Sequence, residues 1–243
     1  MEETLTSFQH LHKIIDERYR FNPLAIYRGV KDSDKHKLVP KVGRKAGYNF
    51  EQEEDLLRLF KIYAVPFLDY KPENDWEWLA IAQHHGLPTR LLDWTRNPLV
   101  AAFFAVEEEI DGDSRRCHRL SETVKDSPVE LRTPPDSAIY SFVADEILDL
   151  EKLPHPLKVN VEGVVLTNHI TRRIVAQSGL FTIHPNPPDA LRGVSVDKFV
   201  IPNALSEDFK KALFTYGIHR GTLFPDLDGQ ARFIEWFKTQ IPS

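Results

Sequence analysis

Leu5, Phe8, Leu11, Ile14 and Ile15 recur three or four positions apart, which predicts an amphipathic helix over residues 4–20. Asn22-Pro23 ends it. LAIYRGV, residues 24–30, then predicts a short strand, apolar except for Arg28 and closed by Gly29. In residues 50–68, Leu56, Leu57, Phe60 and Tyr63 share one helical face behind an acidic first turn. Asp75 is placed to cap a helix that runs through WEWLAIAQHH to Gly86. TRLLDW follows as a strand, and a helix spans Pro98–Glu109 with the proline in its first turn.

The apolar rhythm stops over residues 111–137, which predicts a mobile loop or insertion. It resumes as a strand at 138–144, a pair of short strands about Gly179 within 172–185, and a strand at 197–202. A helix over Ser206–Tyr216, with Ser206 as its cap, and a last helix near the end complete the pattern. Helices gather early and at the end, strands in the later middle, without regular alternation. That order favours α+β, with a mixed or antiparallel sheet flanked by helices, over a doubly wound parallel sheet. Residues 1–243 are expected to form a single domain, largely helical over its N-terminal residues 1–80.

The net charge of −5 gives no overall electrostatic footprint for nucleic acid, although a nucleic-acid partner is not excluded. A single cysteine, Cys117, rules out an internal disulfide framework and fits a reducing, cytoplasmic setting. No apolar run approaches the ~20 residues of a membrane span, so no membrane association is expected. Phosphate-loop, Rossmann and nucleophile-elbow motifs are absent, which argues against those enzyme classes.

Candidate chemistry centres on residues 80–106. Arg28, alone in an apolar strand, suits either a phosphate or carboxylate ligand or a buried ion pair with Asp93 or Glu53, and Gly29 would let a ligand approach the backbone. His84 and His85 lack zinc-ligand spacing; one is a base or, more simply, a helix-end cap, and no metal site is expected. Thr89 and Arg90 follow a Gly-Leu-Pro turn, where they line a pocket mouth or merely a surface. Asp93 and Trp94 read as structural. Along a strand, Gln177, Gly179 and Phe181 would share a side, suited to a flat heterocycle or to a filled core. Asp226 and Asp228 read as helix caps rather than metal ligands.

YRG at 27–29, QHHGLPTRLLDWTRNPLVAAFFA at 83–105, QSGLFTIHP at 177–185 and GIHRGTLFPDLDG at 217–229 together resemble the FRG domain family of bacteria, archaea and phages. Tyr27 stands where the family name has phenylalanine. The resemblance implies an accessory or effector of bacterial defence or toxin systems. The same order of elements is similar to the ADP-ribosyltransferases. That likeness implies an ADP-ribosyltransferase-like core with NAD as substrate and no required cofactor, Arg28 on the first strand, and Thr89 or Thr95 at the hydroxyl position. Gln177 stands near the position where that family has its catalytic glutamate. An arginine or a neutral amide there would not stabilise the positive charge that develops as nicotinamide leaves, so Asp93, Glu162 or Asp226 would have to serve. Arg28, Thr89 and Gln177 are the expected catalytic set. Tyr27, Gly29, His85, Arg90, Thr95 and Phe181 complete the expected pocket for NAD or a related nucleotide. The competing expectation is a non-enzymatic module that binds a protein or nucleic-acid partner through the same groove.

Overall fold

The computed structural model describes residues 1–44, 47, 49–68, 70–107, 134–168 and 171–240. Seven strands form one mixed sheet: β1 (Glu2–Thr4), β2 (Ala25–Val30), β3 (Leu91–Thr95), β4 (Ser137–Val143), β5 (Gly163–Val165), β6 (Gly179–Ile183) and β7 (Asp197–Ile201). Their order is β1-β7-β4-β2-β3-β6-β5, antiparallel throughout except for the β1–β7 edge. The expected α+β class with a mixed sheet is the observed one.

The helices start where short polar side chains cap them. Ser7 accepts from the His10 amide to open α1 (Phe8–Tyr19), and Asn49 from the Gln52 amide to open α2 (Phe50–Ala64). Asn74, not Asp75, caps α3 (Asp75–His84). Asn97 caps α4 (Pro98–Val106), with Pro98 in its first turn. Two further expectations fail here. Arg172–Ala176 is a short helix, α5, capped by Thr171, and Gln177 is its C-cap, so only Gly179–Ile183 is strand. Helix α6 (Ser206–Thr215) starts without a side-chain cap, because a 3₁₀ turn at Asn203–Leu205 runs straight into Ser206. Asp226 does cap the last helix, accepting from the Gly229 amide at 2.6 Å. The insertion expected over 111–137 falls, up to residue 133, outside the described residues.

The sheet is nearly two sheets. β2 pairs with β4 at six positions and β3 with β6 at five, yet β2 and β3 share only Tyr27↔Thr95. Beyond that pair the central strands diverge. Each half buries its own apolar face. On the β2 side, Ala25, Tyr27, Ile139 and Phe199 pack against α1, α4 and α6. On the β3 side, Leu91, Phe181 and Ile183 pack against Trp76, Leu79 and Ala82 of α3. Behind the sheet, Ile26, Leu92, Trp94, Phe142 and Leu180 form a further cluster. Helix α4 lies so close to β2 that a Cβ on Gly29 would meet the Ala101 carbonyl oxygen at 1.9 Å and the Ala105 nitrogen at 2.6 Å. Gly29 therefore admits a helix in the space that a side chain would take.

Candidate functional site

Where β2 and β3 part, a cleft of about 330 Å³ opens, within the size range of small-molecule sites. Arg28 and Lys31 line it from β2 and its end, Asp93 and Thr95 from β3, Gln83 and His84 from α3, and Arg173 and Gln177 from α5 and its cap. Arg44, Phe104 and Phe181 are also in the lining.

Arg28 spans the gap. Its Nη1 lies 2.5 Å from Asp93 Oδ2 and donates to the Asp93 main-chain carbonyl at 2.5 Å. The guanidinium thus replaces the strand-to-strand bond that the divergence removes, while its Nε is buried without a partner among the described residues. Asp93 is both open to water, with 61% of its side chain exposed, and hemmed in by the cleft walls. Crowding alone would raise its pKa, but the charge of Arg28 and the hydrogen bonds to Arg28 and Gln83 outweigh that and hold it below the usual carboxylate value.

Behind Asp93 runs a short relay. The Thr89 hydroxyl donates to Gln83 Oε1 at 2.7 Å, which turns Gln83 Nε2 toward Asp93 Oδ1 at 3.3 Å. Thr89 is buried and absent from the cleft lining, so it orients Gln83 instead of meeting a ligand.

Arg90 is not at the pocket mouth. It is 2% exposed and fully engaged: Nη2 and Nε bind the two oxygens of Glu53 at 2.8 and 3.0 Å. The convergence of Arg90 with Arg28 expected from the sequence is therefore absent, and Glu53 belongs to Arg90. His85 also lies outside the lining; it is the exposed C-cap of α3 and meets His84 edge-on, ring centroids 4.7 Å apart. His84 faces the cleft, and burial, helped by Arg173 and His85, pushes its pKa down to about 4, so its ring is neutral near pH 7.

Of the other expected residues, Tyr27, Gly29, Thr95, Gln177 and Phe181 all border the cleft. Their polar groups are largely committed: the Thr95 hydroxyl donates to the Gln177 carbonyl at 2.7 Å, and the Gln177 amide donates to the Leu223 carbonyl at 3.1 Å. Tyr27 and Phe181 are buried in the cores of the two halves. Glu162 is elsewhere, beside His184.

Sequence reasoning missed the basic walls. Arg44, Arg173 and Lys31 join Arg28 around one carboxylate, a local excess hidden under a net charge of −5. Spacing could not have collected them, since Lys31 at a strand end and Arg44 in a loop lie more than a hundred residues before Arg173 on α5. Among the described residues no group of His, Cys, Asp and Glu is arranged to hold a metal ion. No described helix is long and apolar enough to cross a membrane.

Fold and site together define an α+β protein with a cationic cleft at a split in its sheet. Residues 24–114 match the model of the FRG domain, a span that includes β2, α3, β3 and α4. No curated protein and no solved structure matches the chain.

Proposed function

We propose that the cleft binds a nucleotide of the NAD class, and that Asp93 takes the role for which the ADP-ribosyltransferase likeness offers only Gln177. The observation that carries this reading is the single ionised carboxylate set among guanidinium groups at the split, with Gln83 and Arg28 fixing its two oxygens. In such chemistry the bond between the ribose C1′ and nicotinamide breaks, nicotinamide leaves with the electron pair, and water or an acceptor side chain attaches to C1′. A carboxylate that stays charged stabilises the positive ribosyl centre; a neutral Gln177 would not. Arg28 positions that carboxylate, and Thr89 positions Gln83. A role in bacterial defence or toxin systems rests on the family resemblance alone.

The test is nicotinamide release from NAD. Asp93→Asn is expected to lower the rate by ~10²-fold, the usual cost of one electrostatic partner of the transition state, while the protein stays folded. Equal release by both proteins would overturn the assignment. The second reading, a binding module for a protein or nucleic-acid partner, is favoured by one fact: Arg28 already occupies an Asp93 oxygen. Nucleotide binding without turnover would leave that reading ahead.

A further inference from the structure

The cations of the cleft are not equivalent. Arg28 is neutralised by Asp93, and a phosphate placed on it would also face that carboxylate. Arg220, outside the cleft lining, lies over the Phe224 ring, 4.4 Å from its centroid, and is ion-paired with Glu107. The Arg173 guanidinium lies over the same ring, 4.2 Å from its centroid, borders the cleft, and makes no side-chain hydrogen bond or ion pair among the described residues. The ring contact holds the guanidinium in place and leaves its donors without a protein partner among the described residues, which suits a bidentate oxyanion. His84, with its neutral ring, stands near enough to feel its charge.

We propose that Arg173 holds the phosphate of the ligand, and that the Arg28–Asp93 pair faces its uncharged, hydroxyl-bearing portion. The assignment rests on the reading of the cleft as a nucleotide site, and it reverses the polarity that the sequence suggested, where Arg28 was the phosphate anchor. Half-burial of Arg173 pulls its pKa below the ordinary arginine value, and the more distant Asp226, Glu107 and Asp93 offset only a fraction of that. A bound phosphate supplies the missing counter-charge at direct contact. Arg44, exposed at the cleft wall, adds positive field without a ring contact among the described residues.

Calorimetry with the full chain, using ADP and adenosine as probes, separates the possibilities. The wild-type protein is expected to prefer ADP over adenosine. Arg173→Gln should abolish that preference through at least a tenfold loss in ADP affinity, with adenosine binding unchanged. Arg173→Lys, which keeps the charge but not the two-pronged guanidinium, should fall between them, and it serves if the glutamine variant does not fold. Arg28→Gln should weaken both ligands and preserve their ratio. An ADP preference that survives both Arg173 substitutions overturns the proposal and leaves the nucleotide reading standing. If neither ADP nor NAD binds the wild-type protein at millimolar concentration, both fall. Phosphate preference that depends on Arg173, without any nicotinamide release, upholds the anchor and removes the chemistry.

Discussion

Arg28 and Arg90 look alike in the sequence, each a lone guanidinium beside apolar residues, and the structure gives them opposite employment. Arg90 and Glu53 are each 2% exposed, so either charge left alone would be stranded out of water. Glu53→Ala is therefore expected to cost ~3–5 kcal/mol, the usual penalty for breaking a buried pair from one side. For a chain of this size each kcal/mol moves the melting midpoint by ~2–4 °C. Asp93→Ala, at an exposed position, should move it far less. Thermal melts of the two variants side by side check this; equal midpoints would refute it. The partner of Arg90 lies 37 positions away on helix α2, and no local pattern announces it. What the sequence did disclose was that Arg28 needed an anion; for Arg90 it offered only a pocket mouth or a surface. Which anion each would find was a matter of tertiary placement.

At the scale of elements, β2, β3, β4, β7 and the helices α1 to α4 were legible because apolar periodicity and polar caps agree there. Strands of three residues, β1 and β5, carry too few alternations to register. The segment RRIVA was misread because β-branched residues suit a strand, while the Thr171 cap and the tight turn at Ser178, φ 48°, make it one helical turn. The conformation of that turn is what brings Arg173 to the cleft in place of a strand residue. Gly29 was legible as exceptional, but the close approach of α4 was not among the reasons the sequence offered. Its substitution by alanine would drive a methyl group into the α4 backbone, which cannot move without breaking its own hydrogen bonds. Gly29→Ala is expected to be insoluble or to lose most of its cooperative melting transition, measured by circular dichroism. A variant with the wild-type midpoint would show that α4 can withdraw from β2.

For the molecule as a whole, acid should be destabilising well above the range where carboxylates titrate. Trp94 Nε1 donates to the Thr182 hydroxyl at 3.0 Å, and that hydroxyl shares a hydrogen bond with His184 Nε2, also at 3.0 Å. The His184 ring is enclosed, and burial pushes its pKa from 6.5 down to about 4. Between those values the unfolded chain binds a proton that the folded one refuses, so stability falls as pH drops from 6.5 toward 4. The full loss at His184 is about 3 kcal/mol at 1.36 kcal/mol per pKa unit. His84 adds a smaller loss of the same sign, because solvent reaches it in the cleft. Urea titrations across this window should show the slope, and His184→Gln should flatten it. An unchanged slope in that variant would place the proton uptake elsewhere.

The lone Tyr27↔Thr95 pairing leaves the seam to be closed by two unlike materials. On one face of the sheet, Ile26 and Phe142 from the β2 side interlock with Leu92, Trp94 and Leu180 from the β3 side, and the Trp94 and Phe142 rings meet edge to face at 4.9 Å. Across the cleft a charged clasp reaches from Arg28 to Asp93. A zip of oil and a clasp of charge answer to different solvents: salt and acid loosen the second and leave the first shut.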